Sequence, residues 1–260
     1  MNYEDLRHKL LSGGEIYIGK FPTYKVTLQE MADYGFGKIQ NVIALMAADD
    51  ISASKLLNNV DGNVSTFDVL MVGVLQDLSQ RANGSQESET SLYDSVLAFL
   101  SLFFRREVNF DMRVGFVIRD DDGDIQFALN DSNYNQFRDI LKYRNCLADL
   151  DNSIDENPDN EMAAKLLEKR RMLKEKLKKA KSMSDDEEAI TMSDLISIFA
   201  EAEKMPLQDV YRNYDVYQFN DQFNRLKIMD DYRVNIQALM AGAKSEDVKL
   251  QHWISKIKKS

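Results

Sequence analysis

The densest run of side chains able to do chemistry is Arg119-Asp120-Asp121-Asp122-Gly123, followed by Asp124. Carboxylates at alternating positions (Asp120, Asp122 and Asp124) are the oxygen ligands that a hard cation takes. A calcium loop spreads such ligands over about twelve residues and closes on a glutamate. Here the closing position falls at Asp131 or beyond, without that glutamate. A solvated hairpin turn is the better account, with Asp-Gly as its local signal. The acidic run SDDEEA at 184–189 reads likewise as a solvated charge run. The glycine clusters Ser12-Gly13-Gly14 and Gly35-Phe36-Gly37-Lys38 fit neither the P-loop nor the dinucleotide-binding spacing. Ending helices is their ordinary use. His8, His252 and the single cysteine, Cys146, cannot complete a zinc set. Neither histidine has a Ser or Cys partner whose proximity the sequence supports. No catalytic, cofactor-binding or metal-binding residue is therefore expected, and the chain reads as a non-enzyme.

What remains is apolar, aromatic or basic. VLAFLSLFF at 96–104, with Leu100 and Phe103, is the most hydrophobic stretch. A buried helix is its plain reading, and an exposed partner-binding face the sharper one. Tyr211, Tyr214, Tyr217, Phe219 and Phe223 recur at helical spacing, which more often marks core than a binding site. Trp253 stands among lysines near the end of the chain. Docked, it pins the tail; undocked, it is an aromatic anchor of the kind enriched at interaction hot spots. The candidate partner-binding side chains are accordingly Leu100, Phe103, Tyr214, Phe219, Phe223 and Trp253. Residues 161–181 carry nine Lys/Arg against three Glu, a local charge of +6 in a chain of net charge -10, which leaves -16 elsewhere. Such a helix either meets an acidic partner or nucleic acid, or lies against acidic parts of its own chain; the second reading is preferred.

The bulk properties bound the partners. With 260 residues, 44% apolar and 29% charged, the chain can build a core in one large domain or two smaller ones. An acidic surface repels phosphate backbones and anionic lipid, so nucleic acid is a poor default partner. One cysteine points to a reducing compartment, where Cys146 is expected as a small, partly buried residue on a helix. The N-terminal residues carry acids and do not resemble a signal peptide. No apolar run approaches the roughly 20 residues of a membrane span.

The elements that must position these side chains follow from patterning. The expected class is α+β and predominantly helical. An N-terminal α+β unit with short β-hairpins spans 1–150, an acidic linker and charged helix 151–190, and an all-α C-terminal unit 191–260. A helix is expected over 1–11, broken at Ser12-Gly13-Gly14. Glu15–Ile18 and Tyr24–Thr27 read as a hairpin with its turn at Gly19–Pro22. Thr27 and Glu30 have capping-box spacing ahead of a helix that ends at Gly35. Further helices are expected at Lys38–Ala48, in pieces over 49–80 including Thr66–Leu78, and at Leu92–Phe104. A polar break covers 82–90. Asn109–Ile118 and Asp124–Leu129 read as two strands, followed by a helix over Asn133–Leu150. After a loop at 151–160 come the basic helix at 161–181 and a helix over Met192–Ala202 capped by Thr191 or Ser193. Another helix starts at Pro206 and runs through Tyr217, and a last runs from about Asp221 to Met240, closed by Gly242.

Two stretches carry a resemblance: 14–46 (GGEIYIGKFPTYKVTLQEMADYGFGKIQNVIALM) and 216–257 (VYQFNDQFNRLKIMDDYRVNIQALMAGAKSEDVKLQHWISKI). Together they resemble the tail assembly chaperones and related tail- or baseplate-assembly proteins of long-tailed bacteriophages. The matching residues are Phe219, Phe223, Leu226, Ala241, Gly242, Ala243, His252 and Trp253. The resemblance covers about a third of the chain. It implies a non-enzymatic assembly factor, without cofactor, in the host cytoplasm. Its partner would be the tape measure protein or a hub component, with a homo-oligomer of the chain as a further expectation. Apolar helical faces can take up an amphipathic client helix, and net charge keeps such a complex soluble. Two other readings stand beside it. One is a structural subunit retained in the virion baseplate or hub; the other is a nucleic-acid-binding factor using 161–181.

Overall fold

The computed structural model describes residues 3–48, 65–82, 91–147, 190–243, 248 and 252–254. The expectations for 49–64, for the linker at 151–160, for the basic helix at 161–181 and for the acidic run at 184–189 lie outside them. So does the polar break, apart from Ala82. The described residues form nine helices and two small antiparallel sheets, an α+β protein that is mostly helical.

Helix α1 (Tyr3–Ser12) stops at the glycine pair, where Gly14 N donates to Lys9 O (2.8 Å). Strands β1 (Ile16–Ile18) and β2 (Phe21–Thr23) pair with Ile18 opposite Phe21, leaving only Gly19-Lys20 in the turn. The second strand therefore precedes the expected Tyr24–Thr27. Gly19 takes a positive φ (60°) at the first central position, which lets a two-residue turn close. Pro22 is tolerated because each strand of a two-stranded sheet is an edge.

Thr27 and Glu30 form the expected capping box on α2 (Leu28–Tyr34): Glu30 N donates to Thr27 Oγ1 (3.2 Å) and Thr27 N to Glu30 Oε2 (2.8 Å). Helix α3 (Phe36–Ala47) follows directly after Gly35, then α4 (Thr66–Ala82) and α5 (Leu92–Phe104). Arg105, in the left-handed region at the end of α5, pairs with Glu30 and donates to Lys25 O (2.8 Å).

The single strand expected over 109–118 is two, β3 (Asn109–Asp111) and β4 (Gly115–Arg119). With β5 (Ile125–Leu129) they make a sheet of order β3-β4-β5. Asp111 makes the turn: its Oδ1 accepts from Arg113 N (2.9 Å) and its carbonyl from Val114 N (3.2 Å). Gly115 completes it at φ 108°, where an added Cβ would lie 2.5 Å from Leu129 O.

Helix α6 (Asp131–Arg144) starts from Asn130 and ends six residues before the expected Leu150. Cys146 N donates to Tyr143 O and Leu147 N to Lys142 O, a Schellman closure with Cys146 in the left-handed position (φ 56°). The cysteine is half-buried against the core, as expected, but in a turn rather than on a helix.

Thr191 caps α7 (Met192–Ala202), and α8 (Leu207–Asn213) follows Pro206. The expected continuation through Tyr217 is broken. Tyr214 is extended, and Asp215 opens α9 (Val216–Met240) about five residues before the expected start. Asp215 Oδ1 accepts from Gln218 N (2.8 Å) while Gln218 Oε1 accepts from Asp215 N (3.2 Å). This reciprocal cap outweighs the helical spacing of the tyrosines. Gly242 (φ 100°) ends α9 in a second Schellman closure, with Ala243 N donating to Ala238 O (3.0 Å).

Two apolar clusters organise these elements. The larger is built from α1, β1, α3, α4, α5, β4 and α6, with phenylalanines 99, 103, 104, 116 and 137 at its centre. The smaller gathers Ile196, Phe199, Ala200, Val210 and Phe219 from the C-terminal helices around Leu28 of α2. Tyr217 of α9 reaches the other way, into the larger cluster.

Candidate functional site

The six candidate side chains do not share a surface. Leu100 and Phe103 face inward from α5 and are 0% and 1% exposed. Phe103 makes edge-to-face contacts with Phe104 (5.5 Å) and Phe137 (5.5 Å). The prospect of an exposed binding face at 96–104 is corrected: helical period puts Val96, Phe99, Leu100, Phe103 and Phe104 on the core side.

The aromatic group at 211–223 splits between both clusters. Tyr217 enters the larger. Phe219 is buried in the smaller, edge-on to Phe199 (5.5 Å) and stacked on Phe223 (5.7 Å). Tyr214 sits half-buried at the corner between α8 and α9, edge-on to Phe199 (5.8 Å). These residues hold the C-terminal helices together rather than presenting a free aromatic face.

Trp253 is different. It is 47% exposed, and Ile254 beside it more so. Its ring stacks on His252 (5.8 Å, 24°), which in turn lies 5.2 Å from Tyr232 of α9. Arg225 Nη1 donates to Trp253 O (3.3 Å). The tail thus returns to α9 through a relay of rings, and half of the indole stays open to solvent. It returns to a part of α9 that neither core uses among the described residues. Leu226 is the last α9 side chain in either cluster. The remaining 14 residues, 227–240, extend about 20 Å at 1.5 Å per residue. They carry Ile228, Met229, Tyr232, Ile236 and Leu239, all half-buried, with Val234 and Met240 exposed. Helix α7, at 11 residues, is too short to flank a helix of 25 along its length.

The other end of α9 is polar and closed. Lys25 Nζ donates to Asn213 O (2.6 Å) and Gln218 Oε1 (3.1 Å), and Gln218 Nε2 donates to Leu11 O (2.8 Å). Leu28 N donates to Tyr214 O (2.9 Å), beside a bridge between Thr27 and Asp215. Arg144 reaches in from α6 with its Nη1 3.8 Å from Asp215 Oδ2, each side chain 3% exposed. Burial pushes the guanidinium down to about 10 although the carboxylate opposes it. Burial pushes the Asp215 carboxyl up, against the Gln218 amide and Arg144. Arg144, even so lowered, keeps its charge at neutral pH. None of this junction was anticipated. Asp215-x-x-Gln218 has capping spacing and was legible; nothing local marks Arg144.

The carboxylates at 120–124 form a self-contained turn. Asp120 Oδ1 accepts from Asp122 N (3.1 Å) and Asp124 N (2.8 Å), and Gly123 N donates to Asp120 O (3.0 Å). Among the described residues no group of three or more His, Cys, Asp or Glu is placed to hold a metal ion, and no helix is long and apolar enough to cross a membrane.

Residues 178–258 match the family model of the YomV second domain, a phage-derived family. The match contains the whole of α7, α8 and α9 and the tail with Trp253. No curated protein and no solved structure matches the chain.

Proposed function

We propose that this protein is a non-enzymatic phage assembly factor, a chaperone for a tail or baseplate component, and that it holds its client along the distal half of α9 and the returning tail. One observation carries the reading. The phage-type segment includes some 20 Å of helix whose apolar side chains join neither core formed by the described residues, and Trp253 and Ile254 stand open beside it. A half-exposed tryptophan on an apolar strip is the anchor-and-groove chemistry that binds an amphipathic helix. The tape measure protein, helical and aggregation-prone, is a client of that chemistry. The excess of acidic over basic residues keeps such a complex dispersed.

Co-expression with the tape measure gene of the same genome tests the client. Its soluble yield is expected to rise, and Trp253→Ala to reduce the gain. An unchanged yield with the wild-type chain refutes the assignment. Proteomics of purified particles separates the two phage roles. A chaperone is absent, whereas a fixed stoichiometry in the particle would make the protein a baseplate or hub subunit.

A further inference from the structure

The junction at the start of α9 contains a pair of opposite charges that do not touch. Arg144 Nη1 and Asp215 Oδ2 are 3.8 Å apart, beyond hydrogen-bond reach, in a site where both side chains are 97% removed from solvent. Neither atom has a hydrogen-bond partner in the protein, nor has Arg144 Nε. Both heads are tethered in directions that keep them apart. Arg144 Nη2 is committed to Gly14 O (2.8 Å) and Thr23 O (3.4 Å), which draws the guanidinium toward the β1–β2 hairpin. Asp215 Oδ1 is committed to Gln218 N (2.8 Å), which holds the carboxylate at the end of α9. Closing the gap would mean giving up one of these bonds.

Both side chains line one cavity of about 10 Å³, whose other walls are Val26, Phe99, Phe103 and Val216 on the apolar side and Asn145 on the polar side. A space on the order of 10 Å³ is enough for one water, provided polar partners are present; an apolar cavity of that size stays dry. A water that accepts from Arg144 Nη1 and donates to Asp215 Oδ2 satisfies both and turns a long ion pair into two charge-assisted hydrogen bonds. The apolar wall leaves it little choice of position.

We propose that this cavity is a binding site for a single internal water, and that the Arg144–water–Asp215 bridge is the polar key that seats α9 on the N-terminal unit. The bridge spans elements remote in sequence: α6, the β1–β2 hairpin through Arg144, and the α9 cap through Asp215. It also explains why a charge at the α9 cap is kept away from bulk solvent. The water lets the carboxylate serve the helix and the arginine at once.

A crystal structure of the full chain, at a resolution that shows ordered solvent, tests the site. A density peak about 2.7–3.2 Å from both Arg144 Nη1 and Asp215 Oδ2 is expected. Direct contact between the two side chains, or a gap of unchanged width without density, overturns the proposal. In solution, ¹⁷O relaxation dispersion counts long-lived internal waters. Val216→Ile, which adds one methyl to the cavity wall, is expected to lose one of them relative to wild type. An equal count in the folded variant also overturns the proposal, and the wild-type crystal stands as the test if that variant does not fold.

Discussion

Replacing Leu28 with alanine probes how the two halves of the chain depend on each other. Leu28 is fully buried and is, among the described residues, the one from before position 190 in the buried part of the smaller cluster, where it meets Ile196, Phe199, Ala200, Val210 and Phe219. Truncation removes three carbon groups at about 0.8 kcal/mol each. It also leaves a cavity, and the edge-to-face pair Phe199–Phe219 restricts collapse around it. A loss of about 3–4 kcal/mol follows, within the range of buried Leu→Ala substitutions. Trp253, the single tryptophan, stacks on His252, which lies against Tyr232 of α9, so its fluorescence reports the C-terminal half while far-UV circular dichroism reports all helices. With a urea slope of about 2–3 kcal/mol/M, the fluorescence midpoint is expected to fall by roughly 1–2 M in Leu28→Ala. If the C-terminal helices fold without the N-terminal unit, that midpoint will stay where it is in wild type. A fluorescence midpoint unmoved while circular dichroism shifts would refute the shared core.

Three further outcomes follow from the same geometry. Gly115→Ala places a Cβ 2.5 Å from Leu129 O at a φ of 108°, so β4 must part from β5; a loss of about 3 kcal/mol is expected, read as a fall of roughly 6–12 °C in Tm, and a shift under about 2 °C would contradict the turn geometry. At Glu30, burial raises the carboxyl pKa, but the Arg105 guanidinium and the Thr27 amide and hydroxyl outweigh it, and the net displacement is below 4.5. A lowered carboxylate stabilises the fold above its unfolded pKa and loses that contribution as pH falls through the folded value, so urea midpoints should decline on acidification below about pH 4.5 and decline less in Glu30→Gln. Asp215→Asn keeps the helix cap but strands the Arg144 charge, at a cost of about 3–5 kcal/mol; Arg144→Met with Asp215→Asn removes both charges and is expected to recover most of it, so strict additivity in denaturation would rule out their coupling.

Local chemistry decided what could be read in advance. Helices α5 and α7 stand where their apolar periods and caps put them, and the Thr27–Glu30 box forms with both of its bonds. The errors have a common origin in short-range hydrogen bonds that overrule periodicity. Asp111 cuts an apparently continuous strand in two by accepting from Arg113 and Val114. Asp215 does the same to the tyrosine-spaced helix, and the turn at Asn145-Cys146 ends α6 although an apolar residue, Leu147, follows at helical spacing. Of the candidate site, Trp253 was legible because a lone tryptophan near lysines is rare enough to notice. Leu100 and Phe103 were ambiguous because a buried and an exposed apolar helix have the same composition; only the neighbours at Phe116, Phe137 and Tyr134 decide between them. Arg144 was invisible. Its role depends on Gly14, Thr23 and Asp215, up to 130 residues away.

The way the clusters interlock bears on how the protein can work. Residues of two helices are shared between the cores: Leu28 goes to the smaller and Met31 to the larger on α2, Phe219 to the smaller and Tyr217 to the larger on α9. Pulling α9 away would open both cores and strand the Arg144 charge, so wholesale undocking is an expensive way to expose apolar surface. The distal half of α9 carries no side chain of either core among the described residues. Among the described residues, it contributes to neither cluster beyond Leu226, and the tail meets it through ring stacking and a hydrogen bond from Arg225 to the Trp253 carbonyl. In the proposed chaperone role, a client taken up there would meet Trp253 and its neighbours without opening either of the described cores. The helix is anchored in both cores at its start, and that anchoring end is where the buried charges lie.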